Sequence, residues 1–114
     1  FRDVPQLQVP TERAHVESAW HRYALRLHLD RLTIDRARFI EELRQRNISA
    51  SVHFIPLHRM RFYAEHYALD PRHYPVAERE APRLLSLPLH PLLADSDVAD
   101  VIDATLDVAT RFAR

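Results

Sequence analysis

The stretch Ser51-Val-His-Phe-Ile-Pro-Leu-His58, read with Leu84-Leu-Ser-Leu-Pro-Leu-His-Pro91, decides the fold of this chain. Each is an apolar run that stops at a proline and sets a histidine where a strand gives way to a loop. Proline has no amide hydrogen to continue a ladder, so it ends a strand or confines it to a sheet edge. Side chains at such an end can leave the packed sheet and meet a ligand. The first run sets Ser51, His53 and Ile55 against Val52 and Phe54, so a strand there has two chemically different faces.

The flanking segments supply the rest of a small domain. From Trp20 to Leu29, Tyr23, Leu25, Leu27 and Leu29 alternate with Arg22, Arg26 and His28, the pattern of a strand buried on one face. Thr33 suits an N-cap, and Asp35 lies in the first turn of an amphipathic helix over about 34–46. Its apolar stripe is Ile34, Ala37, Ile40 and Leu43, and Asn47 suits a left-handed cap at its end. A strand is expected over Ile48–Ile55, closed by Pro56, followed by a short helix over 58–67 with Met60, Tyr63 and Ala64 inward. Asp70-Pro71 marks a turn, and Pro75 suits the first position of a helix that Pro82 kinks. Leu84–Leu89 reads as an edge strand. The last helix gathers Asp95, Asp97 and Asp100 at its start and Arg111 and Arg114 at its end, with Val98, Val101, Ile102, Thr105, Ala109 and Phe112 on one face.

Residues 1–19, with Pro5 and Pro10, read as a connector or edge segment, and 20–114 as the domain proper. The order predicts an α/β (α+β) fold: a small three- to four-stranded mixed sheet with helices mainly on one face. The other sheet face is then open to a second domain.

Composition narrows the chemistry. The 114 residues suit one domain, and 16 acidic residues balance 16 basic ones. That balance argues against a nucleic-acid partner and mildly favours self-association. No apolar run reaches the length of a membrane span, there is no signal-like start, and a cytoplasmic location is expected. Cysteine and glycine are absent, which excludes disulfides, thiol nucleophiles and glycine-rich phosphate loops. Positive-φ positions are expected to fall to Asn47 or Asp70. Every basic residue is arginine, so chemistry that needs a lysine amine cannot be completed by these residues alone. Eight histidines raise the question of metal. His53 and His58 are five apart, which puts them on opposite faces of a strand, and no HExxH pattern occurs, so no metal site is expected.

The binding candidates are His53, Phe54 and His58. Each has a plain reading beside the functional one. His53 is either a satisfied histidine on a half-buried strand or a donor to an anionic or sugar-hydroxyl ligand. Phe54 is core or a stacking platform, and His58 caps the next helix or contacts a ligand. Arg22 and Arg26 read as a solvated or salt-bridged stripe.

Beyond these local readings, the sequence resembles the C-terminal small domain of the DegT/StrS family of pyridoxal-phosphate enzymes, the sugar aminotransferases of fold type I. Trp20-His-Arg-Tyr23 is similar to the family's Trp-His-x-Tyr strand. Phe39-Ile-Glu-Glu-Leu-Arg-Gln-Arg46 and Ile48–His58 resemble its helix and "VHYIPLH" strand. Tyr74-Pro-Val-Ala-Glu-Arg79 with Leu85-Ser-Leu-Pro-Leu-His-Pro91 resembles its "FPVAER…LSLPLHP" segment. The likeness covers nearly the whole chain in the family's order and spacing. It departs in lacking the family's glycines around Asn47–Ala50, in Phe54 where tyrosine is frequent, and in Pro82.

The resemblance implies a longer parent enzyme, a homodimer whose large N-terminal domain holds pyridoxal 5'-phosphate on a lysine. An amino donor, usually glutamate, charges that cofactor, which then aminates a keto-sugar nucleotide. It implies that the cofactor-binding residues lie upstream, outside this chain, and that no catalytic residue lies within it. This domain would supply one wall of the substrate cleft, with His53 and position 54 near the nucleotide-sugar diphosphate and His58 nearby. The family's relatives include dehydratases that replace the cofactor lysine and synthases of aromatic amino acids, and the residue that separates them is expected in the missing part. The contrasting expectation is a stand-alone binding or regulatory module with the same fold and no catalysis.

Overall fold

The computed structural model describes all residues, Phe1–Arg114. Three strands, β1 (Leu7–Gln8), β2 (Tyr23–Leu27) and β3 (Leu84–Leu87), form a sheet in the order β1-β2-β3. Four helices accompany it: α1 (Arg36–Gln45), α2 (Arg61–Tyr67), α3 (Pro75–Glu80) and α4 (Asp95–Arg111). The expected class holds, with α1 packed against both β3 and α4. No helix is long and apolar enough to cross a membrane.

Alternation along β2 explains the sheet. Leu25 and Leu27 point into the core with Leu85 and Leu87 of β3, and Phe39 and Leu43 of α1 close over them with Val108 and Ala109 of α4. Leu7 of β1, paired with Leu27, joins the same core, so residues 1–19 contribute an edge strand to it. On α4, Thr105 buries its hydroxyl by donating to the Val101 carbonyl at 2.7 Å, which satisfies the polar group inside its own helix.

The sheet is antiparallel throughout rather than mixed. The expected strand over 48–55 reduces to one antiparallel bridge between Ser51 and Ser86. Beyond it Val52, Phe54 and Ile55 are exposed, because no further strand lies alongside them and Pro56 ends the run. β3 is the edge strand expected from Pro88, with only that bridge on its outer side.

The cap of α1 is Asp35, not Thr33: the Asp35 carboxylate accepts from the Arg38 amide at 2.8 Å, while Thr33 bonds the Phe112 carbonyl. The buried stripe of α1 is Phe39, Glu42 and Leu43, and Ala37 faces water. Glu42 tolerates burial because Arg38 and Arg46 reach it at 2.5 and 2.9 Å, and the Arg46 hydrogen bond holds its carboxyl below the usual range. Arg46 also bonds Asp107 of α4 at 2.6 Å, tying the two helices. Asn47 ends α1 at φ 62°, as expected, but the other positive-φ residues are Trp20 and Ala68 rather than Asp70. α2 begins at Arg61, after a single turn at Leu57–Arg59. Pro75 opens α3, and Pro82 sits in the turn Ala81–Arg83 that follows it. Val98 and Ile102 of α4 stay largely exposed.

Candidate functional site

The sheet face away from α1 and α4 is polar. Arg22, Ala24 and Arg26 alternate onto it, and the register pairs Ala24 with Ser86. This face is not bare. Arg26 pairs with Glu80 at 3.3 Å, and the 51–54 segment folds over Ser86. The bridge fixes that segment: the Ser51 amide donates to the Ser86 carbonyl at 3.0 Å, and the Ser86 amide returns a bond at 2.8 Å.

Two residues on, His53 turns its ring back over the sheet. Its Nδ1 lies 2.9 Å from Nη1 of Arg22, and its Nε2 is hydrogen-bonded to the Ser86 hydroxyl. Ser86 is thereby buried without an unmet hydroxyl, although it sits between two core leucines. The three side chains floor a cleft of about 410 Å³. His21, Ser49 and Ser51 add polar groups, Phe54 and Leu89 add apolar wall, and no carboxylate lines it. Phe54 is 80% exposed, so the core reading of this residue is corrected. It also borders an adjoining cleft of about 260 Å³ beside Arg36 and Arg59.

His58 takes a different place. It is buried, its Nε2 is 2.6 Å from Oε1 of Glu78, and its ring stacks on Tyr74 at 4.5 Å. It lines neither cleft and instead pins the turn at 57–59 to α3. Arg59 completes the clamp with Nε at 2.7 Å from Glu78.

Hydrogen bonds from Arg59 and then His58 hold the Glu78 carboxyl down to about 2. A carboxyl depressed in the folded state stabilises the fold while ionised. That contribution is complete above the ordinary carboxyl value of 4.5 and is lost as pH falls toward about 2. The unfolding midpoint in urea should therefore drop across that window, and Glu78→Gln should flatten part of the drop. Glu41, also held to about 2 chiefly by its hydrogen bond from Arg44, contributes to the remainder, as do the lowered carboxyls of Glu42, Asp70 and Glu80. An acid slope identical in Glu78→Gln would mean that the clamp does not form.

Two site residues escaped the sequence reading. Arg22 read as part of a solvated stripe, and Ser86 as a member of a buried apolar run. The available signal was parity: Arg22 shares the face of Arg26, and Ser86 points opposite to Leu85 and Leu87. No group of three or more His, Asp or Glu side chains converges at metal-binding distance.

Comparison with known proteins bears on the whole chain. The model of the DegT/DnrJ/EryC1/StrS aminotransferase family matches residues 1–106. An uncharacterised protein of Methanocaldococcus jannaschii, MJ1066, is 43% identical over 110 residues, which cover 96% of this chain and 28% of that protein. Helicobacter pylori PseC, an aminotransferase involved in pseudoaminic acid biosynthesis, superimposes with a TM-score of 0.87 at 25% identity, over 98% of this chain and 29% of its own. Spr1654 of Streptococcus pneumoniae, assigned as a sugar aminotransferase and solved in its PMP form, superimposes with a TM-score of 0.81 at 28% identity, over 93% of this chain and 26% of its own. The chain spans about 28% of the length of the curated relatives it matches. By a family match over nearly its entire length, on a fold shared with these aminotransferases, the chain belongs to the DegT/DnrJ/EryC1/StrS aminotransferase family.

Proposed function

We propose that this chain is the C-terminal small domain of a pyridoxal-phosphate-dependent nucleotide-sugar aminotransferase and forms one wall of its substrate cleft. Residues 1–19 lead in from a large cofactor-binding domain, and the parent is a homodimer. The observation that carries this reading is the cleft without carboxylates. The chain has as many acidic as basic residues, yet Arg22, His21, His53 and three serines converge with no acid among them. Such a surface suits phosphate oxygens, which need donors and repel carboxylates, and its serines can also bond sugar hydroxyls. The exposed Phe54 ring beside it offers a platform for a sugar or base face.

On this reading, His53 and Phe54 face substrate, and His58 holds the turn that presents them. The cofactor does not fit this chain alone, because no lysine exists here to hold it. When bound to the parent, pyridoxal phosphate supplies an electron sink for moving an amino group from donor to keto-sugar. The PMP form of Spr1654 supports that cofactor for the family. Everything assigned to these residues is binding and orientation, not bond making.

Two measurements test the proposal. Pyridoxal phosphate added to this chain should keep the spectrum of the free aldehyde, and glutamate with a keto-sugar nucleotide should yield no 2-oxoglutarate. The longer protein should carry out that transfer, with a nucleoside diphosphate as competitive inhibitor. Amino transfer by the 114-residue chain alone, or indifference of the longer enzyme to the nucleoside diphosphate, would overturn it.

A further inference from the structure

We infer that Arg22, rather than the His53 ring, makes the direct contact to the anionic group in the cleft, and that His53 is the positioning residue that aims it. This rests on reading the cleft as a substrate wall and specifies which side chain reads the phosphate.

Hydrogen-bond bookkeeping carries the argument. Arginine only donates, so the 2.9 Å contact makes Nδ1 of His53 an acceptor. The neutral ring then carries its proton on Nε2, and that N–H is spent on the Ser86 hydroxyl. Ser86 cannot move away, because its backbone is held on both sides of the bridge to Ser51. Both ring nitrogens are engaged within the protein, and the ring has no free donor for a ligand.

Arg22 is in the opposite position. It is exposed, it makes no ion pair, and one contact to His53 occupies only part of its guanidinium fork. The arginines of the adjoining cleft are tied to the protein itself. Arg36 donates to the carbonyls of Ala81 and Leu84, and Arg59 is clamped on Glu78. Arg22 is the one arginine lining the larger cleft, and its only side-chain partner there is the His53 ring. A planar fork fixed at one nitrogen presents the rest in a set direction, the geometry that takes two oxygens of a phosphate or diphosphate. Without an acceptor at Nδ1, the same side chain would be a freely rotating cation with more entropy to lose on binding.

The test is a titration of the 114-residue chain with inorganic pyrophosphate, followed by NMR. The His53 ring nitrogens should report a protonated Nε2 and a bare Nδ1, and pyrophosphate should shift the Arg22 side-chain N–H signals saturably. Arg22→Ala should weaken binding about tenfold, the size of one charge-assisted contact, and Arg22→Lys should recover part of it. His53→Ala should weaken binding less, and His53→Asn, whose Oδ1 can accept from Arg22, should restore it. Pyrophosphate binding unaltered in Arg22→Ala but abolished in His53→Ala would overturn the assignment and leave the anionic cleft standing. No saturable binding to the unaltered chain would overturn both.

Discussion

Phe39→Ala is expected to cost about 3–5 kcal/mol of unfolding free energy, a large fraction of the stability of a domain this size. Phe39 is the largest side chain with no exposed surface. It stands on α1, the helix that packs on β3 and α4 together, so its ring fills the space where three elements meet. Truncation removes apolar burial and leaves a void that those elements cannot close without breaking the Arg46 tie between α1 and α4. The melting temperature should fall by about 10–20 °C, with a lower urea midpoint and an unchanged slope. If Phe39→Ala does not fold, Phe39→Leu should, with a loss of about 1–2 kcal/mol. A loss below about 1 kcal/mol for the alanine variant would mean that the three elements do not share one packed core.

The second large effect concerns binding. In the longer enzyme proposed here, Phe54→Ala should raise KM for the nucleotide sugar about tenfold or more, with kcat nearly unchanged. Covering an aromatic side chain contributes about 1.5–3 kcal/mol, and loss of contact made equally in ground and transition states appears in KM. Phe54 suits this experiment because it is 80% exposed and supports nothing in the fold, so the variant should unfold like the parent. Phe54→Tyr should keep the low KM, since the ring face persists. A KM unmoved by Phe54→Ala, at unchanged stability, would remove Phe54 from the cleft wall. The same truncation at His53 would be harder to read, because it also strands the buried Ser86 hydroxyl and frees Arg22.

The two stretches that opened the reading illustrate how far the chain's own order reaches. Leu84–Leu87 became a strand because all four of its residues found a partner on β2. Ser51–Ile55 has equal strand propensity and became an exposed arm, because only Ser51 found a partner. Propensity is blind to whether a neighbour exists. Glu42 shows the same blindness in a helix: it is absent from the apolar stripe expected for α1, and Arg38 together with Arg46, just past the helix end, lets it enter the core.

What the residues settled unaided were the features with local causes. The period-2 leucines of β2, the Asn47 cap, Pro75 at the start of α3 and the charged ends of α4 each depend on neighbours within a turn or a strand. The absence of lysine likewise excludes lysine-amine chemistry from these residues without reference to tertiary structure. Tertiary structure alone joined Arg22, His53 and Ser86, which lie up to 64 positions apart in the chain (22 to 86). It also sent His58 to Glu78 while His53 stayed in the cleft. Hydrogen bonds between distant segments depend on which sheet face each side chain reaches and what already occupies it, and both are fixed only when the chain packs.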